Sequence, residues 1–260
     1  MIVRAFPLFD KGAILCADMM EALTSYAYLF GDVLFDGYSD GIISGCQLTT
    51  TEDAIMINPG IVRHAGKNFL IKDPVYVAYS PTDSTTVLRM NFLGETRSTR
   101  FITYDAEIVL EKATDAHKGQ IELCRFKLQP GAQLRYQYVD FEDRSTEYDT
   151  LNTLRVPYAS KERSTLSPEI TYDYAKELWT TNAMEDLDTA FCLQAMDRSK
   201  PIAAETIAFY LASRLGGSLD EYTANETLYD GLNHILTCAK RGQNMIPKSK
   251  ERRRSKILID

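Results

Sequence analysis

Residues 41–73 read GIISGCQLTTTEDAIMINPGIVRHAGKNFLIKD, and the way apolar runs alternate with turn residues in this stretch decides the fold at the centre of the chain. Residues 42–50 carry enough β-branched and apolar side chains for a strand. Glu52 and Asp53 turn the chain, residues 54–58 alternate out of that turn, and Pro59-Gly60 breaks the run. Residues 61–64 resume it, and Ala65-Gly66-Lys67-Asn68 turns again into 69–72. Gly45, Gly60 and Gly66 stand where a tight antiparallel meander needs positive φ or close strand approach. Asp73-Pro74 then stops the ladder, because proline has no N–H to donate to it.

On the N-terminal side, residues 2–6 (IVRAF) suit a short strand added to another subunit's sheet, and a long helix is expected over 13–34. Leu15, Met19, Ala22, Tyr26, Leu29 and Val33 recur at spacings of 4, 3, 4, 3 and 4, the seam of a packed helix, and Leu23, Phe30 and Leu34 widen it. A single helix lying on one sheet rarely needs so broad a stripe. Either this helix is sandwiched within the fold, or copies pack together through it.

On the other side comes a second β group, with strands expected over 75–79, 86–91, 100–110, 119–128 and 134–139. Phe126 and Leu128 read as inward, and Gln129-Pro130-Gly131-Ala132 turns the chain into the last of these strands. The strands between 41 and 140 suffice for a sandwich or a rolled sheet. Residues 141–160 form a polar connector in which Leu151, Leu154, Val156 and Tyr158 can pack, so it is expected to lie ordered along a surface.

The final third is helical on its capping signals. Ser167-Pro168-Glu169 places an N-cap serine before a proline at the first helical position and an early acid. Asn182 with Glu185, Thr223 with Glu226, and Ser199 with Pro201 open further helices; Gly216-Gly217 and Gly242 stop two of them. The helices expected are 168–180, 183–196, 200–215 and 224–241, short-looped and therefore antiparallel neighbours. The fold class is α+β: an N-terminal helix, a central mostly antiparallel β-domain and a C-terminal four-helix unit. The segments are 1–38, 39–145, 146–166, 167–242 and a basic tail, 243–260.

Composition narrows the function classes. At 260 residues, 45% apolar and 25% charged, this is an ordinary globular chain with room for a sizeable core. Net charge is −7, so the body is no electrostatic nucleic-acid binder. Six basic residues between Lys248 and Lys256, against Glu251 alone, put +5 in the tail and leave −12 on the rest. The five cysteines are scattered without a CxxC, as in a protein made in a reducing cytosol. No signal peptide or membrane span is expected.

No residues declare chemistry. His64, His117 and His234 lie in different elements without metal spacing, and no metal or cofactor is expected. Glu185, Asp186 and Asp188 cluster at a helix N-terminus, where they favour the helix dipole over acid–base work. GxSxG, GxxxxGK[ST] and GxGxxG are absent, and Leu215-Gly216-Gly217-Ser218 follows a helix, so it reads as a C-cap and not a phosphate cradle. Tyr172, Tyr174 and Trp179 read as core or interface anchors. The tail KSKERRRSKILID reads as a solvated tail, or as a docking strand whose arginines meet acidic neighbours.

The succession Gly41-Ile42-Ile43-Ser44-Gly45-Cys46, then Ile57-Asn58-Pro59-Gly60, then Gly66, behind a leading helix, resembles the small β-domain near the N-terminus of phage tail appendage and baseplate proteins. Arg155-Val156-Pro157-Tyr158-Ala159 and the run from Thr165 through Ser167-Pro168-Glu169 to Ile170 resemble a junction in tail-region proteins of Firmicute phages and phage-tail-like particles. The resemblance implies a structural component of a phage tail or contractile tail-like particle, at the baseplate or where a fibre attaches. It implies synthesis in the bacterial cytoplasm, assembly with other tail or baseplate subunits or copies of itself, and no enzyme activity. The interface residues expected are Leu15, Met19, Tyr26, Leu29, Phe30, Arg252, Arg253, Arg254, Ile257 and Leu258. Two other classes stay open: a small hydrolase or nuclease with a site gathered from non-adjacent residues, and a nucleic-acid-associated factor acting through the tail.

Overall fold

A computed structural model of the chain describes residues 12, 14, 16–82, 84–114, 119–181 and 183–243, and of residues 25–28 the backbone alone. The strand expected over 2–6, the cap at Asn182, His117 and the basic tail lie outside the described residues. The architecture is α+β, with an N-terminal helix, antiparallel sheets in the middle and helices at the C-terminal end.

Among the described residues the first helix, α1 (Ala17–Leu34), leads into nine strands. These are β1 (Gly41–Gly45), β2 (Leu48–Thr50), β3 (Ala54–Ile57), β4 (Gly60–His64), β5 (Lys67–Ile71), β6 (Val75–Ala78), β7 (Thr86–Arg97), β8 (Ile102–Lys112) and β9 (Gln120–Phe126). They form three three-stranded antiparallel sheets with orders β1-β4-β5, β2-β3-β6 and β8-β7-β9.

The single strand expected over 42–50 is divided, and the reason is a shared corner. Gly45 pairs with Gly60 at the end of one ladder, and Leu48 pairs with Ile57 at the start of the next. Between them the two strands turn together, linked by Cys46 N–H to the Pro59 carbonyl at 3.2 Å and Asn58 N–H to the Gln47 carbonyl at 3.0 Å. Gly45 sits at φ 72° and Cys46 at 57°, in the left-handed region. The chains pass so closely that a Cβ on Gly45 would meet the Pro59 oxygen at 2.2 Å, and one on Gly60 would meet the Cys46 nitrogen at 2.4 Å. One bent hairpin thereby supplies two sheets, which is how sandwich corners are built. Ile42, Ile55, Ile57, Val62, Leu88, Leu123 and Phe126 fill the core beneath.

No strand forms over 134–139. Residues of the connector take the edge of β9 instead: Arg125 and Asn152 exchange backbone bonds at 2.9 and 2.8 Å, and Lys127 N–H reaches the Glu147 carbonyl at 2.7 Å. Arg135 is left to pair with Thr150. The connector is therefore woven in, not laid along a surface. Thr150, Leu151 and Val156 are buried, as is Phe141, whose ring stacks on Tyr229 at 4.8 Å.

The C-terminal unit comprises α2 (Pro168–Trp179), α3 (Asp186–Met196), α4 (Ala204–Leu215) and α5 (Asn225–Lys240), with α2 packed on α3 and α5, and α4 on α5. Ser167 caps α2 through Glu169 N–H. Three starts differ from expectation. Glu185 caps α3, in a reciprocal box with Asp188. The α4 helix begins at Ala204, because the Ile202 carbonyl accepts from the Thr165 hydroxyl at 2.7 Å and holds that segment extended. Thr227 closes the cap of α5, while Glu226 pairs with Arg155 at 2.5 Å.

Candidate protein interface

The residues singled out in α1 sit on an 18-residue helix that packs on β5. DMMEALTSYAYLFGDVL is rich in strong helix formers and free of proline, and Asp18 in the first turn favours the helix dipole. Gly31 is its one weak helical residue. It lies over β5, where a Cβ would approach the Asn68 side-chain nitrogen to 3.3 Å.

No described residue of α1 is buried, which overturns the sandwiched reading of this helix. Met19 is half-buried, whereas Leu29 is 60% and Val33 76% exposed; Met20, Leu23, Phe30 and Leu34 are exposed as well. The side chain of Tyr26 and the whole of Leu15, Arg252, Arg253, Arg254, Ile257 and Leu258 lie outside the described residues.

Beside the C-terminal end of α1 lies an open groove of about 980 Å³. Gly31 and Asp32 form one wall, β5 and the following residues to Val75 another, and residues 104–106 and 108 of β8 the third, with Met90 among the lining residues. β5 and β8 are both edge strands of their sheets. Leu70 stands exposed among three carboxylates, Asp32, Asp73 and Asp105, and two ammonium groups, Lys67 and Lys72. Lys67 is engaged, its Nζ 4.4 Å from the Tyr104 ring centre.

β7 and β8 continue past the body as a two-stranded arm. The β7–β9 ladder ends at Asn91 with Gln120, whereas the β7–β8 ladder runs on to Arg97 with Ile102. A bulge between Phe92 and Gly94 re-aims the ribbon. Leu93 is 62% and Phe101 68% exposed, and Ile102 is exposed beside them. Arg97 pairs with Glu95, and Arg100 makes no ion pair among the described residues.

Sequence reasoning also missed several buried charges, Arg89 and the Asp188–Arg214 pair among them. Arg89, inside the apolar run of β7, meets Glu111 at 2.6 Å. Asp188, read as a helix-dipole acid, is wholly buried: it accepts from the Tyr210 hydroxyl at 2.7 Å and from Glu185 N–H at 2.8 Å, and it faces Arg214 Nε at 2.9 Å. Tyr174 joins this network through Tyr210 at 2.6 Å. Burial, with the neighbouring Tyr174 and Asp188, drives the Tyr210 hydroxyl far above its ordinary range. An arginine at the apolar side of α4 was the available signal.

His64 Nδ1 lies 2.8 Å from Asp40, and its ring stacks on Phe92. Among the described residues no group of His, Cys, Asp and Glu is gathered as a metal would need. Burial pushes the Cys46 thiol up to about 11 and the Cys192 thiol up to about 12, so neither is a thiolate at neutral pH. Among the described residues no helix is long and apolar enough to cross a membrane.

No family model and no curated protein matches the chain. Solved structures give diffuse likenesses, among them subunits of type VI secretion baseplate complexes. One is a chain of the TssK-TssF-TssG baseplate subcomplex, with TM-score 0.42 and 11% identity, covering 90% of this chain and 99% of that one. A second is TssK itself, at 0.39 and 11%, covering 92% of this chain and 72% of that one. A third belongs to a baseplate complex of the same system, at 0.38 and 10%, over 90% of this chain and 100% of that one.

Proposed function

We propose that this chain is a structural subunit of a phage tail or contractile tail-like particle, at its baseplate or a fibre-attachment point. It acts by protein–protein assembly and performs no bond-making step. The observation that carries this reading is α1: a helix with a packing seam whose described side chains are all left at least partly open to solvent. The turn pattern of residues 41–66 supports the same reading from the sequence.

The magnitudes say what α1 can and cannot do alone. A fully buried large aliphatic side chain is worth ~1.5–3 kcal/mol. Covering the still-exposed parts of Met20, Leu23, Leu29, Val33 and Leu34 therefore yields about 4–8 kcal/mol. Association costs ~4–15 kcal/mol in lost freedom. A helix face of this kind contributes strongly to an assembly but does not by itself secure one.

Light scattering on size-exclusion eluate at micromolar concentration tests the reading, with Leu29→Asp and Val33→Asp as the perturbations. Both positions are exposed, so Tm should move by no more than ~2 °C, while the oligomer, or the complex with neighbouring baseplate subunits, dissociates. Unchanged assembly in the doubly substituted chain overturns the proposal.

A further inference from the structure

The arm and the groove are complementary, and we infer that the arm tip of one copy, residues 97–102, seats in the β5–β8 groove of the next. This rests on the assembly reading and deepens it by naming a second contact. Three observations meet here.

The first is the arm itself. Its overhang beyond β9, residues 92–97, spans ~20 Å at about 3.3 Å per residue. A two-stranded ribbon in water is marginal unless something covers it. This one carries Leu93, Phe101 and Ile102 in the open.

The second is charge. The groove presents Asp32, Asp73 and Asp105 against Lys67 and Lys72, with Lys67 already spent on the Tyr104 ring. The tip presents Arg100 directly before its apolar pair, Phe101 and Ile102; Arg100 has no ionic partner among the described residues, whereas Arg97 is already held by Glu95. An arginine entering beside Leu70 finds carboxylates, while Phe101 and Ile102 find Leu70 and the half-buried Ala106 and Ile108.

The third is topology. One wall of the groove is β8 from Tyr104 to Ile108, the base of the same arm. A tip cannot fold into a groove that its own strand helps to form without breaking the β7–β8 ladder, so the occupant belongs to another copy. The contact joins two different patches, tip to groove. It is heterologous, and such contacts close into rings or run on as open stacks.

Cross-linking and a charge swap test this on the full chain with Cys16→Ser as background. Chains carrying Phe101→Cys are mixed with chains carrying Leu70→Cys and oxidised mildly. A disulfide between the two kinds of chain is expected, and little within either kind alone. In sedimentation, Arg100→Asp and Asp73→Arg each weaken self-association by about tenfold, the equivalent of ~1.4 kcal/mol, and their combination recovers most of it. If the unmodified background chain is monomeric at all accessible concentrations, without and with neighbouring baseplate subunits, both this inference and the assembly reading fall. If the chain self-associates, is broken by Leu29→Asp, and yet gives neither cross-link nor recovery, the arm-in-groove contact alone is wrong.

Discussion

Replacing Arg214 by methionine should be among the most damaging single changes in the helical unit. The guanidinium is 3% exposed on α4 and faces Asp188, which is 0% exposed, at 2.9 Å. It also pairs with Glu185, whose other side is solvent. Methionine keeps much of the apolar stem and removes the charge, leaving Asp188 buried with only the Tyr210 hydroxyl and the Glu185 N–H as partners. Removing one partner of a buried pair costs ~3–5 kcal/mol, mostly the penalty of an uncompensated buried charge. At roughly 2–4 °C per kcal/mol for a chain of this size, Tm falls by about 6–20 °C. Urea unfolding followed by helical circular dichroism reads the loss. The companion Asp188→Leu with Arg214→Met removes both charges and should recover at least half of it. Glu185→Gln touches a half-exposed partner and should cost no more than ~1 kcal/mol. A loss below ~1 kcal/mol for Arg214→Met, or no recovery in the double variant, would refute the claim that burial of Asp188 makes the arginine necessary.

The corner at Gly60 is equally specific. Gly60→Ala drives a Cβ into the Cys46 nitrogen and the Ser44 oxygen, backbone atoms that cannot step aside, and should cost ~3 kcal/mol or more in urea unfolding. Gly66→Ala has open space and pays only for its φ of 77°, about 1 kcal/mol. Equal losses at the two sites would argue against the close strand passage. The fork of Arg135 on Asp143, at 2.5 and 2.6 Å, holds that carboxyl down at about 2 from its usual 3.8. Its folded-state pKa is depressed, so the stabilisation is present above pH 3.8 and drains away as pH falls through about 2. With the arginine 40% exposed, solvent screening leaves it worth ~1 kcal/mol. The gap between the wild-type chain and Asp143→Asn should close as pH is lowered across that window, and a constant gap would contradict this account.

The parts of the fold legible in sequence are those written locally. Turn glycines marked the strands of residues 41–71, and Ser167-Pro168-Glu169 marked the start of α2, because each feature acts within a few residues. Long-range choices were not legible. The edge of β9 went to residues 147–152, not 134–139, a competition between two segments that periodicity cannot rank. Thr165 holding Ile202 shortened α4 for the same reason. At the candidate interface, the seam of α1 was readable, but its exposure was not, since spacing says which residues share a face and nothing about what covers it. The groove and arm are products of tertiary placement and had no sequence signature.

The burial of Phe141 has a practical consequence for anyone dissecting this chain. Its ring lies on Tyr229, its N–H bonds Glu177 on α2, and its carbonyl accepts from the Tyr229 hydroxyl at 2.7 Å, while a few residues onward the same connector completes the β9 sheet. Cutting near residue 155 or 166 would not free two tidy modules. Either cut would pull a plug from the helical half, and one near 155 would also take from β1 the Pro157 carbonyl and the Ala159 N–H that bond Ile42, so expression fragments split there should come out sticky, and useful truncations must begin elsewhere.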